Sequence, residues 1–455
     1  MLKWIWDNQY AFGIGSYLLL FLAIFFGIGV LFTLQHKKMS ESPQKKLKKA
    51  NLKLSSTPQG VVFGKLKKKY VCSPAFAEGH IFVGGGSGLG KSSALLIPTL
   101  NAFSSEGNFF SIDICGDLAK NVECESCVRF EVGETTEKYN VFYNVDRFPQ
   151  RKLELIQKIA FSLLPEQTNL NEAGQYYLNN GRNILTASLL AYYDKGYDFI
   201  QCCENIYYSG DYRHLFADID KCNNQYSSNA ISRYLTENEK NVGGCYSKCV
   251  EAIELFATNE RVKASLGRAN SFSPATLEEK SIFLCIDDND LEIFSNLVNL
   301  MVTQTFEFLF NRNGKKTILV ALDEIASFGK LNQLDASLRK LRKKNVRIMA
   351  ITQSLPDLDL IYGETMRNSM LNNFAFKCVL SADDSTTQKF WSELVGYEFR
   401  NRSSITTSRF ANATHTETEN RELIIEPASL SNLESELLLI FRGGHAKLQK
   451  NYYFK

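Results

Sequence analysis

Residues 80–100 read HIFVGGGSGLGKSSALLIPTL, the segment that says most about the fold. The apolar residues from Ile81 to Val83 predict a buried strand, and the apolar run from Ser93 to Leu100 predicts a helix. The eight residues between them match G-x-x-x-x-G-K-[ST], the pattern of a phosphate-binding loop, at every position. This order of strand, glycine-rich loop and helix predicts an α/β fold with a nucleotide site at the carboxyl end of the strand. The alternative is a glycine-rich turn without a ligand.

Each residue type in the loop has a physical role in holding a nucleotide. Glycines accept positive φ, so successive backbone N–H groups can turn toward phosphate oxygens. The helix N-terminus adds the positive end of its dipole. Lys91 reaches the β- and γ-phosphates, and the Ser92 hydroxyl ligates Mg²⁺. The predicted nucleotide-binding residues are Gly85, Gly86, Ser87, Gly88, Leu89, Gly90, Lys91, Ser92 and Ser93.

A second apolar strand, KTILVALDE from Lys316 to Glu324, ends in two carboxylates. Asp323 is placed to hold Mg²⁺ through its water shell, and Glu324 to polarise a water for in-line attack on the γ-phosphate. A kinase would need a site for an acceptor hydroxyl, and a guanine-specific GTPase usually carries an N-K-x-D run, which the sequence lacks. The pair therefore predicts an ATPase with ATP and Mg²⁺ as cofactors. The alternative is that these two acids are surface residues that only increase solubility.

A third apolar strand, Arg347 to Thr352, follows a basic helix and ends at Gln353. In an open α/β sheet, a polar side chain at the carboxyl end of a strand next to the phosphate loop points into the ligand crevice. Gln353 therefore either senses the γ-phosphate or caps the end of its strand, and the sequence leaves both interpretations open.

Charge is distributed very unevenly along the chain. The totals are 52 basic and 49 acidic residues, a formal net charge of +3. From Lys37 to Lys69, however, eleven lysines and one acid give +10, which leaves −7 for the remainder. Because this remainder is acidic, we do not expect DNA to bind over most of its surface. We therefore expect any DNA contact to be confined to a narrow basic channel.

An uncharged apolar run of 24 residues, Ala11 to Leu34, precedes the lysines. As a helix it is about 36 Å long, enough to cross a hydrocarbon core of roughly 30 Å. It is too long for a cleaved signal peptide, and no small-residue cleavage site follows it. The lysines after it place the N-terminus outside and the catalytic part in the cytoplasm. We therefore predict a single-pass protein of the inner, cytoplasmic membrane whose lysines contact membrane lipid.

Several motifs together resemble the coupling proteins of type IV secretion and conjugation systems, the TraG/TraD type. The segment from Asp323 to Gly363 looks like that family's Walker B block through its glutamine motif, because it contains DEIASFGK, QSLPDL and a closing YG. Tyr139 to Phe142 resembles the family's Y-N-P element, with valine in place of proline. Arg421 to Leu430 resembles its R-x-L-I-x-P-x-x-L element. The likeness is collinear from about Thr57 to Lys455.

This resemblance implies a membrane-anchored, hexameric, RecA-like ATPase that passes a relaxase-bound single DNA strand to other proteins of a secretion channel. It implies that ATP binds between subunits, with an arginine from the neighbouring subunit at the transition state. Arg342 is our choice, because the family has a basic residue at that place. The alternative is a solvated basic face that Arg342 shares with Arg339 and Arg347. The cluster from Arg339 to Lys344 is predicted to line a hexamer pore and follow DNA phosphates.

Two other functions remain open from the sequence. One is a double-stranded DNA translocase of the FtsK type, which a winged-helix reader would favour. The other is a recruitment platform on which ATP controls the docking of protein cargo and no translocation occurs. The nucleotide motifs do not separate either function from a motor that moves single-stranded DNA.

The predicted organisation combines a RecA-like core of mostly parallel sheet with an inserted all-α domain and one N-terminal transmembrane helix. The resemblance implies the inserted domain. The predicted parts are the N-terminal segment with its span (1–35), a lysine-rich linker (36–56), the nucleotide-binding domain (57–148 and 279–455) and the all-α domain (149–278). The aromatic residues Tyr452 to Phe454 are predicted to belong to the sheet core.

Overall fold

The structure is a computed structural model that describes residues 47, 50, 52–114, 116–167, 170–331, 333–408 and 411–454. Of residues 400–408 and 411–419 it describes the backbone alone. The chain from residue 52 onward forms one compact unit. The predicted membrane span at residues 11–34 lies outside the described residues. Within the described ranges, no helix is both long and apolar enough to cross a membrane.

The described strands form one sheet of twelve strands and two small sheets of two strands each. In chain order they are β1 (Lys53–Ser55), β2 (Val61–Leu66), β3 (Lys69–Ser73), β4 (His80–Gly84), β5 (Asn108–Ile114), β6 (Cys127–Glu131), β7 (Lys138–Tyr139), β8 (Ser271–Phe272), β9 (Ser281–Ile286), β10 (Ile318–Leu322), β11 (Val346–Thr352), β12 (Phe374–Val379), β13 (Tyr397–Ser408), β14 (Ala411–Leu423), β15 (Glu436–Phe441) and β16 (Gly444–Gln449).

The α-helices lie between these strands, and short 3₁₀ turns join several of them. They are α1 (Ile97–Phe103), α2 (Asp117–Asn121), α3 (Tyr143–Arg147), α4 (Lys152–Leu163), α5 (Glu172–Asp194), α6 (Phe199–Tyr207), α7 (Tyr212–Lys221), α8 (Gln225–Ser232), α9 (Glu239–Thr258), α10 (Glu260–Ser265), α11 (Leu291–Asn311), α12 (Leu334–Lys340), α13 (Leu355–Tyr362), α14 (Glu364–Asn373) and α15 (Ser385–Val395).

Seven neighbouring strands of the large sheet run parallel, in the order β12, β4, β11, β10, β5, β9, β6. Beyond β12 the sheet continues antiparallel through β15, β16, β2, β3 and β1. Parallel strands are covered on both faces, so they are apolar throughout instead of alternating. Strands β4, β9, β10 and β11 are accordingly buried at every residue. The predicted α/β class with a mostly parallel sheet is confirmed.

The register of three adjacent strands positions the candidate site. Gly84 at the end of β4 pairs with Thr352 at the end of β11, and Leu322 at the end of β10 pairs with Ala350. The next residues along the chain are the phosphate loop after β4, the acid pair after β10 and Gln353 after β11. The parallel register therefore delivers all three predicted motifs to one edge of the sheet.

Between β7 and β8 the described chain is mainly helical, from α3 to α10. Polar side chains cap these helices: Asp198 and Gln201 form a reciprocal capping box at α6, and Asn171 accepts from the Gly174 N–H at α5. Strands β7 and β8 pair in parallel and join the two ends of this segment. Its buried side chains belong to the same hydrophobic cluster as those of the large sheet. The domain boundaries at residues 149 and 278 stay a prediction.

Arg347 is not part of a solvated basic face, and that interpretation is wrong for this residue. Its side chain lies in β11 and is only 2% exposed. It donates hydrogen bonds to the Ser73 hydroxyl and to the carbonyl oxygens of Gly79 and Pro74. Burial lowers the pKa of Arg347 to about 9. The reason is positional: the preceding basic residues lie in α12 and the 3₁₀ turn after it, whereas Arg347 has already entered a strand covered on both faces.

The prediction that Tyr452 to Phe454 belong to the sheet core is also wrong. Strand β16 ends at Gln449, and the chain then leaves the sheet. Tyr453 is 41% exposed and Phe454 is 62% exposed. Aromatic composition predicts burial on average, but it does not reveal where the last strand stops.

His80, the first residue of β4, is a buried neutral histidine next to a cation. Its Nδ1 accepts a hydrogen bond from the Ile348 N–H at 2.9 Å. Burial, followed by the positive charge of Arg347, lowers the pKa of His80 to about 4. In an unfolded chain the pKa is about 6.5, so the unfolded state binds the proton more readily. The stability due to neutral His80 is therefore fully present above pH 6.5 and is lost as the pH falls toward 4.

We predict that His80→Asn, whose side-chain oxygen can accept the same hydrogen bond, removes up to about 3 kcal/mol of acid destabilisation between pH 6.5 and 4. The measurement is the free energy of unfolding from denaturant titrations across this range. His214→Asn serves as the control, because His214 has a 78% exposed side chain. An equal flattening in both variants would contradict the assignment.

Candidate nucleotide-binding site

The predicted phosphate loop connects β4 to a helix that starts at Lys91. The first turn and a half of this helix, Lys91–Leu96, is π-helical, and α1 continues it. Gly88 and Gly90 have φ of 74° and 92°, in the left-handed region that glycine adopts without strain. A Cβ on Gly85 would lie 2.9 Å from the Cβ of Leu380, so the loop backbone packs tightly against the chain after β12. Backbone conformation and close packing therefore account for these glycines.

Lys91 and Ser92 connect the loop to its surroundings. The Lys91 ammonium donates to the carbonyl oxygen of Gly86 at 3.1 Å, across the loop. The Ser92 hydroxyl donates to Oδ2 of Asp323 at 3.4 Å. This second contact joins two residues that are 231 positions apart in the chain. The structure therefore brings the loop and the acid pair together.

Asp323 is a buried carboxylate with a single cation close to it. It is 9% exposed, and burial raises its pKa to about 6, although the charge of Lys91 and the bond from Ser92 oppose this rise. A serine hydroxyl and a carboxylate beside a phosphate loop suit Mg²⁺, which takes one or two protein oxygens together with phosphate oxygens and water. Ser92 and Asp323 therefore fit the predicted metal.

Glu324 has an unusual backbone conformation for a residue with a side chain. Its φ of 50° and ψ of 64° are left-handed, and its side chain is half-buried. Burial raises the pKa of Glu324, while the charge of Lys91 and hydrogen bonding from Gln353 oppose the rise. Residues held in such conformations cluster at functional sites, where the surrounding fold bears the strain. A carboxyl group with a raised pKa suits the task of accepting a proton near neutral pH.

Gln353 and Arg342 lie at opposite ends of β11. Gln353 follows the carboxyl end of the strand and hydrogen-bonds with Glu324, so it is part of the site. Arg342 lies in the 3₁₀ turn before the strand and pairs with Glu78 at 3.2 Å, with both side chains more than half exposed. Seven strand residues at about 3.3 Å each separate the two ends. Within one chain Arg342 is therefore outside the site, and its role in a neighbouring subunit stays a prediction.

Two acidic residues near the site were not singled out from the sequence. Asp113 ends the buried part of β5, and its carboxylate accepts from the N–H groups of Leu118 and Ala119 at 3.0 and 2.7 Å. Its negative charge helps to raise the pKa of Asp323. Asp383 follows β12, and a Cβ on Gly86 would lie 3.0 Å from its Oδ2. An acid at or after the end of an apolar strand is the signal that both residues share with Asp323.

We predict that Glu324→Gly makes the protein more stable than Glu324→Gln by up to about 1 kcal/mol, because only glycine relieves the left-handed backbone. Both variants lack the carboxylate, so the pair separates backbone strain from the cost of burying a charge. Denaturant titration of the two variants at pH 7 provides the measurement. Equal free energies of unfolding would contradict this prediction.

Comparison with known protein families gives a match over most of the chain. The family model described as "Type IV secretory system Conjugative DNA transfer" matches residues 33–455. The chain is 23% identical to Protein VirD4 of Agrobacterium fabrum over 427 residues, which cover 87% of this chain and 62% of VirD4. It is 20% identical to a probable conjugal transfer protein TraG of Sinorhizobium fredii over 397 residues, 82% of this chain and 62% of TraG. The chain thus spans less than two thirds of the length of these relatives.

Among solved structures, the plasmid coupling protein TrwB in complex with ADP and Mg²⁺ has a similar fold. The TM-score is 0.72 at 20% sequence identity, and the match covers 90% of this chain and 92% of the TrwB chain. At this level of identity the likeness concerns the fold alone.

Proposed function

The chain belongs to the type IV secretory system conjugative DNA transfer family, and we propose that it is a coupling ATPase. In this proposal a RecA-like motor binds ATP and Mg²⁺ and drives a relaxase-bound single DNA strand to the transfer channel. The motor is a membrane-anchored homo-hexamer that works with other channel proteins. TrwB, which the chain resembles in fold, was solved with ADP and Mg²⁺, and that likeness supports the choice of cofactors.

The observation that carries the proposal is the contact between the Ser92 hydroxyl and the Asp323 carboxylate, with Lys91 and Glu324 beside it. Ser92 and Asp323 would hold Mg²⁺, which neutralises charge on the transferring phosphate. Lys91 is free to leave the Gly86 carbonyl for a phosphate oxygen, since its present bond lies within the same loop. The arrangement supports nucleotide hydrolysis because it combines phosphate binding, metal ligands and a base.

Glu324 is the proposed base for the attacking water. Its raised pKa lets the carboxylate take a proton from water as the bond to the γ-phosphate forms. Hydrogen bonding from Gln353 orients that carboxylate and connects it to the end of β11. An arginine from the neighbouring subunit, for which Arg342 is our candidate, would complete charge neutralisation at the transition state.

A basic surface at the opposite end of β11 is the proposed path for DNA. Arg339, Lys340 and Lys343 are exposed there. Next to them is a cavity of about 360 Å³ that Lys340 and Lys344 line, together with Arg151 and Lys158, which pair with Glu307 of the same lining. Lysines and arginines that follow phosphates give binding that is independent of base sequence and weakened by salt. This local surface suits a chain whose remainder is acidic.

The test measures the ATPase rate of the full chain in detergent, with and without single-stranded DNA. We predict that Lys91→Ala and Glu324→Gln each lower the rate at least about 100-fold, because phosphate binding and proton transfer are lost. Glu324→Gln should still bind ATP, whereas Lys91→Ala should not. Lys389→Ala, which removes an exposed lysine of α15, is the matched control.

The other functions are distinguished by the same assay. An ATPase rate that DNA does not change would favour the recruitment platform for protein cargo. Stimulation by double-stranded DNA alone would favour an FtsK-like translocase. A rate unchanged by Glu324→Gln would overturn the assigned base.

We also propose that residues 11–34 anchor the protein in the cytoplasmic membrane, with the N-terminus outside. We predict that Asn8→Cys becomes reactive toward a membrane-impermeant maleimide in intact cells, whereas Ser42→Cys reacts only after lysis. The wild-type chain, which carries eleven cysteines of its own, provides the background. Labelling of Ser42→Cys in intact cells would reverse the orientation.

A further inference from the structure

The aromatic segment Tyr452–Phe454 lies against the phosphate loop and the turn that follows it. The Tyr453 N–H donates to the carbonyl oxygen of Ser93 at 3.0 Å. A Cβ on Gly90 would lie only 3.1 Å from Cε1 of Tyr452, so the tyrosine ring packs directly on the loop backbone. The segment therefore contacts Gly90 and Ser93, the two residues that flank Lys91 and Ser92.

The helix leaves the Ser93 carbonyl open for this contact. In the π-helical turn, the Ile97 N–H donates to the carbonyl oxygen of Ser92, five residues earlier. The next donor in this register would be residue 98, which is a proline and has no N–H. The Tyr453 N–H takes its place. Pro98 therefore creates an acceptor that the aromatic segment satisfies.

The residues before the segment are held firmly. The Lys450 ammonium donates to the carbonyl oxygen of Glu434 at 2.7 Å, and its N–H donates to the carbonyl oxygen of Ser435 at 2.8 Å. Lys450 and Asn451 are 7% and 8% exposed. Main-chain bonds on both sides of Tyr452 thus fix the backbone that carries the aromatic rings.

The rings present apolar surface beside the site. The centroids of Tyr452 and Phe454 are 5.3 Å apart with planes inclined by 32°, and Phe454 is 62% exposed. Glu324 and Gln353 mark the end of the site where the γ-phosphate reacts. The nucleoside is at the other end of the phosphate chain, beyond the α-phosphate that the loop and the first helical turn cradle. Ser93 lies in that turn, and the aromatic segment is bonded to Ser93. A bound nucleotide would therefore place its base beside this segment.

We propose that Tyr452 and Phe454 form the platform on which the base of the bound nucleotide stacks. This inference rests on the proposed nucleotide site and adds the part that recognises the base. Every nucleobase has a π-face, so stacking provides affinity with little preference between adenine and guanine. The platform explains why exposed aromatic rings are fixed beside a loop whose own groups are suited to phosphates.

The test compares binding of ATP with binding of inorganic tripolyphosphate, both with Mg²⁺, to the full chain in detergent by calorimetry. Phe454→Ala and Tyr452→Ala are each expected to weaken ATP binding about tenfold, the effect of losing one stacked ring. Neither should change tripolyphosphate binding. Tyr452→Phe should keep the affinity for ATP. Tyr453→Ala is the matched control, because it keeps the main-chain N–H that binds Ser93 and removes only a ring that packs edge-on against Phe454 at a centroid distance of 5.2 Å.

Three results would overturn the inference. An equal loss of tripolyphosphate binding would mean that the rings only support the loop, and unchanged ATP binding would mean that they do not touch the base. A tenfold loss with Tyr453→Ala would mean that the packing of the segment is responsible. If the wild-type chain bound neither ligand, the proposed nucleotide site itself would be wrong, which distinguishes that failure from the others.

Discussion

The hydrogen bond between the Ser92 hydroxyl and the Asp323 carboxylate depends on the register of three adjacent strands. It can form only because β4, β11 and β10 are adjacent, parallel and in register, so that their carboxyl ends coincide. A shift of one strand by one residue would turn its buried side chains to the opposite face. The apolar faces of the parallel strands therefore maintain the polar geometry at their ends.

The electrostatics of the site follow from its burial. Asp323 and Glu324 both have raised pKa values, with burial as the largest cause, and Lys91 is the cation that opposes the rise in each. Asp113 adds negative charge on the neighbouring strand. Three carboxylates beside one lysine favour a divalent cation, and the glycine-rich loop with the helix N-terminus after it suits the phosphates that would accompany that cation.

Helix α11 joins the site to the helical segment. The Asn299 side chain donates to the carbonyl oxygen of Phe328, at the end of the turn that starts after Glu324. Farther along α11, Gln304 accepts from the Tyr139 hydroxyl at 2.6 Å and donates to the carbonyl oxygen of Val141 at 2.7 Å. These buried bonds lie within one continuous hydrophobic cluster. The acid pair and the base of the helical segment are therefore parts of one packed unit.

Features whose physics is local could be predicted from the amino-acid sequence. The phosphate loop was predictable because glycine alone adopts φ of 74° and 92° easily, as at Gly88 and Gly90. Strands β4, β10 and β11 were predictable because parallel strands are apolar on both faces. The burial of Arg347, the separation of Arg342 from the site and the position of Tyr452 on the loop could not be predicted in this way, because each depends on long-range packing. The apolar pattern of a strand indicates whether its two faces are covered, but it does not indicate which strand is its neighbour in the sheet. Strand order, and with it every contact across the site, arises from packing between distant parts of the chain.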